Sequence, residues 1–151
     1  MKIVFGLAIA ALMSVGPVYA ADWSTFNDSA DFYGAVVKSG NSALMVRCSR
    51  KNELAFIYLP DENGPVSSVA PGAALAVTLQ PSAQVFDTVA GGLFGLGGQG
   101  AVTLGTAMAK AQGDIQVILT LGNENGTVVT ADTFSSAGSS AAIMPIIASC
   151  R

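Results

Sequence analysis

The fold is decided by residues 32–59, FYGAVVKSGNSALMVRCSRKNELAFIYL. Three apolar runs rich in β-branched and aromatic residues are separated by two short polar segments, Ser39–Asn41 and Ser49–Asn52. Runs of this length, bounded by serine, glycine and asparagine, are typical of strands joined by tight turns. The stretch therefore predicts three antiparallel strands, at Phe32–Val37, Ala43–Cys48 and Leu54–Leu59.

Further short strands are predicted after the proline-bounded turn at residues 60–65, which ends the third strand. The last two flank the Asn125-Gly126 pair, which is a strong hairpin signal. The predicted strands are Ala74–Leu79, Gln84–Asp87, Ile115–Leu121 and Thr127–Phe134.

Two helices complete the predicted fold. Residues Thr103 to Gln112 favour a helix that ends near Gly113. The apolar stretch Ser139–Cys150 predicts a second helix, capped by Ser139 or Ser140, with Pro145 either in its first turn or at a kink. We therefore expect an α+β, mostly β domain: an antiparallel sheet or small sandwich that carries one or two short helices.

Residues 1–20 have the pattern of a signal peptide. Lys2 provides the positive start, residues 3–15 form an apolar run, and Val18-Tyr19-Ala20 matches the residues that signal peptidase requires. The apolar run is too short for a permanent membrane anchor. We therefore expect cleavage after Ala20, a periplasmic or secreted location, and a single domain over residues 21–151.

The chain holds two cysteines, Cys48 and Cys150. An even pair in a chain bound for an oxidising compartment favours a disulfide over two free thiols. Two cysteines allow one pairing, so we predict a Cys48–Cys150 bond that closes a loop of about 100 residues.

The residue inventory argues against most catalytic classes. The chain has no histidine, which removes the commonest general base and the commonest metal ligand. Asp61 and Glu62 are neighbours in a turn whose side chains face water, so we expect neither a catalytic pair nor a calcium loop there. The prediction is a protein that is not an enzyme and has no cofactor or metal. Catalysis through Asp61, Glu62 or Lys38 is the alternative.

Seven basic residues against ten acidic ones make the chain mildly acidic, which argues against nucleic acid as a partner. The only local cluster of positive charge is Arg47, Arg50 and Lys51, which the predicted hairpin places at its tip. This cluster is a candidate contact surface for an anionic partner. Its alternative role is to keep a solvated hairpin from pairing with other chains.

Residues 91–100 are rich in glycine, and Gly95, Gly97 and Gly98 are the second candidate contact surface. The match of residues 95–100 to the dinucleotide pattern G-x-G-x-x-G is weak, because no strand is predicted to run into it. We expect a flexible loop that leads into the first helix. The uncharged residues 88–109, with small residues at four-residue spacing, leave membrane insertion as an alternative.

Several motifs together resemble the VasI-like periplasmic proteins associated with type VI secretion. They are Trp23, the strand ending in Arg47-Cys48, the following Glu53–Tyr58, and the terminal stretch Ile143–Cys150. The resemblance implies an accessory or binding protein and supplies no catalytic residues. Two features depart from the pattern: residues 76–80 lack the expected aromatic, arginine and acid, and the glycine-rich segment looks foreign to it.

The sequence thus predicts a non-catalytic binding or accessory protein whose partner is a protein of the cell envelope. The Cys48 hairpin with Tyr58 is also similar to the small periplasmic lysozyme inhibitors, β-barrels that insert a Ser-Gly-containing loop into the enzyme. Ser39-Gly40 or the glycine-rich segment would have to provide that loop here. Inhibition of a lysozyme-type enzyme is therefore the second predicted function, and membrane insertion the third.

Overall fold

The computed structural model describes residues 22–28, 31–69, 75–80, 84–86, 88–89, 93–121 and 126–150, so the predicted leader lies outside the described residues. Within those ranges the chain forms ten strands, two α-helices and one 3-10 helix, Pro65–Ser68. In chain order the strands and α-helices are β1 Ser24–Asp28, β2 Phe32–Ser39, β3 Ser42–Ser49, β4 Leu54–Leu59, β5 Leu75–Gln80, β6 Gln84–Phe86, β7 Thr88–Val89, β8 Leu93–Gly97, α1 Gly98–Ala109, β9 Ile115–Leu121, β10 Val128–Phe134 and α2 Ser139–Ser149.

The predicted meander forms the centre of a six-stranded antiparallel sheet with the order β1-β2-β3-β4-β8-β7. Strands β2 and β3 are longer than predicted, because their pairing continues to Ser39 opposite Ser42. Gly40 at the tight turn between them has a φ of +58°, which glycine adopts without steric cost. The edge strand β1 was not predicted, since its sequence is mostly polar.

The four remaining strands form a second antiparallel sheet with the order β10-β9-β5-β6. The predicted pairing of β9 with β10 is confirmed, from Thr120 opposite Val128 to Ile115 opposite Phe134, while Asn125 of the predicted turn lies outside the described residues. The strands predicted at Ala74–Leu79 and Gln84–Asp87 are confirmed as β5 and β6, although their predicted ends at Ala74 and Asp87 lie outside the described residues. The predicted class, mostly β with two helices, is confirmed.

One core joins the two sheets and the helices. Strand alternation places Leu44, Val46 and Cys48 on one face of β3, and each of these side chains is fully buried. The second sheet contributes Val117 and Leu119 to the same cluster. We therefore describe a sandwich whose first sheet is covered partly by the second sheet and partly by α1 and α2.

The structure corrects the prediction of a glycine-rich loop. Residues 93–97 form β8, which pairs with β4 from Gly97 opposite Ala55 to Phe94 opposite Tyr58, and α1 begins at once at Gly98. Gly98 has a φ of +59°, so it makes the turn from strand to helix. The helix therefore starts five residues before the predicted Thr103 and ends at Ala109 rather than Gln112. Gly91 and Gly92 lie outside the described residues.

The second helix is confirmed, from the predicted Ser139 to Ser149 with Cys150 as its C-cap, but its predicted N-terminal cap is not. Its N-cap is Gly138 in the left-handed region, without a side-chain capping bond, so the predicted capping by Ser139 or Ser140 is wrong. Pro145 lies inside the helix and not in its first turn. Its missing N–H leaves the carbonyl of Ala141 without its helical donor, which an exposed helix face tolerates because water can bind there.

The disulfide predicted between Cys48 and Cys150 is confirmed, with the two Cα atoms 5.7 Å apart. It fixes the end of α2 to β3. At the other end of the described chain, Trp23 is 4% exposed and its indole Nε1 donates to the carbonyl oxygen of Ser135 at 2.9 Å. Both ends of the domain are therefore attached to its core.

Candidate functional site

The connection between β3 and β4 is an ordered four-residue loop, residues 50–53. The hydroxyl of Ser49 accepts hydrogen bonds from the backbone N–H groups of Lys51 and Glu53, both at 3.2 Å. Asn52 has a φ of +60°, a conformation that asparagine tolerates better than most residues. The loop therefore holds a fixed shape at one end of the domain.

Two of the three predicted basic residues, Arg47 and Arg50, have contacts within the domain. Arg47 lies within β3, and its guanidinium carbon is 4.2 Å from the centroid of the Phe32 ring, a cation–π contact. Arg50 donates to the side-chain oxygen of Asn27 at 3.1 Å. Arg47 thus contacts β2 and Arg50 contacts β1, while Lys51 is exposed in the loop.

The predicted glycines lie on the other side of the same loop. Gly95 pairs with Ile57 and Gly97 with Ala55, next to the loop end of β4. Gly97 and Gly98 line an open groove of about 560 Å³ together with loop residues, the start of α1 and the disulfide. The groove is lined by Asn52, Glu53, Leu54, Ala55, Gly97, Gly98, Gln99, Val102 and Cys150.

The groove has an apolar floor and an exposed polar rim. Leu54 and Cys150 are buried, Val102 is half-buried, and Asn52, Glu53 and Gln99 are exposed. This is the general composition of surfaces that bind peptides or small ligands. The structure thus brings Asn52 and Glu53 of the β3–β4 loop beside Gly97 and Gly98 of the glycine-rich segment, while the predicted Arg47, Arg50, Lys51 and Gly95 are not among the residues that line the groove.

The strand-to-helix junction corrects one premise of the sequence analysis, since a strand does run directly into residues 95–100. The strand order is nevertheless not that of a dinucleotide-binding domain, because β8 pairs antiparallel with β4. Local structure explains why glycine occupies two of these positions. Gly98 needs a positive φ, and a Cβ on Gly100 would lie 2.9 Å from Leu96 Cγ.

The small residues of α1 serve packing within the domain. Ala101, Gly105 and Ala109 are buried, and a Cβ built on Gly105 would lie 3.1 Å from Ile147 Cδ1 in α2. The four-residue spacing therefore lets the two helices approach closely. Among the described residues, no helix is both long and apolar enough to cross a membrane.

A second pocket, of about 290 Å³, lies at the opposite end of the domain, and the sequence analysis missed it. The β2–β3 turn, the turn after β4, the 3-10 helix and β10 all contribute to it. Its lining residues are Ser39, Gly40, Asn41, Ser42, Asp61, Gly64, Pro65, Val66, Thr130 and Asp132.

The buried hydroxyl of Tyr58 donates a hydrogen bond to the Asp132 carboxylate, which joins the first sheet to the second beneath this pocket. Burial, and then the Asp132 carboxylate, raise the pKa of Tyr58 far above its ordinary value, against a smaller lowering by Ser42. The ring of Tyr58 also packs edge-to-face on Phe134, with centroids 6.3 Å apart. Tyr58 therefore keeps its proton and positions Asp132.

The carboxylate of Asp61 stabilises the turn in which it lies. It accepts the backbone N–H of Asn63 at 2.9 Å and the side-chain amide of Asn41 at 3.3 Å. Over the residues that the structure describes, no three His, Cys, Asp or Glu side chains come together in a way that could hold a metal ion.

No protein-family model matches the chain, and neither the curated proteins nor the solved structures give a match.

Proposed function

We propose that this protein is a non-catalytic binding protein of the bacterial cell envelope, and that it holds a segment of a partner protein in the groove beside the disulfide. The observation that carries the proposal is the meeting of the β3–β4 loop and the β8–α1 junction at one groove of about 560 Å³. An apolar floor with a polar rim suits a partner segment that buries an apolar side chain.

Export is part of the same proposal. The disulfide is typical of proteins from oxidising compartments, and residues 1–20 have the pattern of a leader. A secretion-associated role, which the resemblance to VasI-like proteins implies, stays a prediction. Lysozyme inhibition and membrane insertion stay predictions. The glycine-rich segment forms a strand and the start of a helix, so an inhibitory loop would have to come from Ser39-Gly40. Membrane insertion has less support, because α1 contributes Leu104 and Met108 to the core.

The test is site-specific photo-crosslinking in intact cells. A photoreactive residue at Gln99, on the groove rim, is expected to form an adduct with one envelope protein. The same residue at Gln116, exposed on the second sheet, is expected to form none. Val102→Glu places a charge in the groove and should abolish the Gln99 adduct, because a buried apolar contact cannot accommodate an unpaired carboxylate.

Thr103→Glu is the matched control, since Thr103 is the next residue of α1, is exposed and lies outside the groove. It should leave the adduct unchanged. An adduct that survives Val102→Glu, or the absence of any adduct at Gln99, would contradict the proposal. Lys51→Ser tests the loop alone. Lys51 is chosen because it is exposed, whereas Arg47 and Arg50 have contacts within the domain.

A further inference from the structure

We infer that the pocket between the β2–β3 turn and β10 binds a sugar ring that carries no negative charge. The inference does not depend on the proposed function, because the pocket and the groove lie at opposite ends of the first sheet. The pocket of about 290 Å³ lies just below the range of ligand sites, which is roughly 300–1,000 Å³. It has room for one ring and not for an extended chain.

The polar groups of the pocket are held in place before any ligand arrives. Ser42 is 3% exposed, and its hydroxyl accepts the backbone N–H of Asp61 at 3.1 Å. The amide of Asn41 and the backbone of Asn63 fix the two oxygens of Asp61. A site whose groups are already oriented loses little conformational entropy on binding.

Asp132 is on the inward face of β10, between Thr130 and the buried Phe134. Its partner across the ladder is Val117, which is fully buried. Asp132 itself is half-buried, and the hydroxyl of Tyr58 donates one hydrogen bond to its carboxylate. The pocket gives Asp132 a second use, because it brings the carboxylate within reach of a ligand.

The chemistry of the lining defines the ligand. Two carboxylates, several hydroxyls and one amide converge, and none of the residues that line the pocket is basic. The pocket therefore offers more acceptors than donors, so a ligand with several hydroxyl donors is favoured and an anionic one is rejected. Pro65 and Val66 supply an apolar wall for the C–H face of the ring. A neutral sugar or an amino sugar meets these requirements, and a uronic acid does not.

The experiment is a titration of the protein followed by amide chemical shifts, with N-acetylglucosamine, glucosamine and glucuronic acid as probes. Saturable shifts confined to residues 39–42, 61–66 and 130–132 are expected for the first two, with dissociation constants in the millimolar range. Glucuronic acid should bind at least about tenfold more weakly. Thr130→Val removes one hydroxyl at nearly constant volume and should weaken binding about three- to tenfold.

Thr133→Val is the matched control, because Thr133 is exposed on the other face of β10 and should leave the affinity unchanged. The inference is overturned if no probe gives saturable shifts up to about 50 mM, a concentration well above a millimolar constant. It is equally overturned if glucuronic acid binds as well as the others, or if Thr130→Val has no effect. Val102→Glu should not alter the titration, so failure here is distinguishable from failure of the groove proposal.

Discussion

Replacement of the disulfide by Cys48→Ala with Cys150→Ala should remove a large part of the stability of this domain. The bond joins residues separated by 102 positions. In the chain-entropy model a loop of about 100 residues is worth about 4.7 kcal/mol at 25 °C. Small domains are stable by about 5–15 kcal/mol, so the loss amounts to a third or more of the total.

Urea titration followed by the fluorescence of Trp23 measures this loss. Trp23 is the one tryptophan of the chain and is 4% exposed, so unfolding transfers its ring to water. With a urea dependence of about 2 kcal/mol per molar, a loss of about 4.7 kcal/mol lowers the unfolding midpoint by about 2 M. Wild-type protein titrated in the presence of reductant should show the same shift, because reduction removes the same cross-link.

Ser149→Ala is the control, since it changes the exposed neighbour of Cys150. It loses a hydroxyl–hydroxyl hydrogen bond to Tyr33 and a local one to the carbonyl of Ile146, both at 3.1 Å. It should move the midpoint by less than about 0.3 M, because exposed substitutions change stability by at most about 0.5 kcal/mol. A shift below about 0.5 M in the double alanine variant would refute the reasoning. Stability would then come from the packing of α2 on the sheet, which needs no covalent bond.

Three other substitutions test separate parts of the core. Tyr58→Phe should cost about 1.5–3 kcal/mol at pH 7, because Asp132 loses its donor. Above about pH 10 the free energy of unfolding of the wild type should fall, because tyrosine ionises in the unfolded chain while the raised pKa keeps Tyr58 protonated in the folded one. Tyr58→Phe should remove this fall. Parallel curves of stability against pH for both proteins from about pH 8 to 11 would contradict this. Gly105→Val should lower the free energy of unfolding, measured by thermal unfolding, by about 1–3 kcal/mol, since Ile147 Cδ1 would lie 3.1 Å from the new Cβ. The neighbouring control Thr106→Val should change it by less than about 1 kcal/mol. Trp23→Phe should cost about 1–3 kcal/mol, measured by circular dichroism, because the carbonyl of Ser135 loses its donor; a loss below about 0.5 kcal/mol would count against that anchor.

The sequence predicted those strands whose pattern of apolar and turn residues is contained within the strand and its flanking turns. The central strands alternate in burial or form fully apolar runs between turn residues, so β2, β3, β4, β9 and β10 follow from pattern alone. β8 is different, because its sequence, LFGLG, contains residues of low strand propensity. Its structure comes from pairing with β4, which a reading of local composition cannot anticipate.

The polar pocket depends on contacts between distant parts of the chain, such as the hydrogen bond between Tyr58 and Asp132, which are 74 positions apart. Even so, the sequence of β10 contains a pattern that indicates where the pocket lies. Every second residue of a strand lies on the same face, so Thr130, Asp132 and Phe134 share one face of β10. The apolar Phe134 identifies that face as the buried one. Asp132 is therefore an inward-pointing carboxylate on an otherwise amphipathic strand. Such a residue needs a partner or a function, and the structure supplies a partner in Tyr58 and a pocket where a ligand can reach its oxygens.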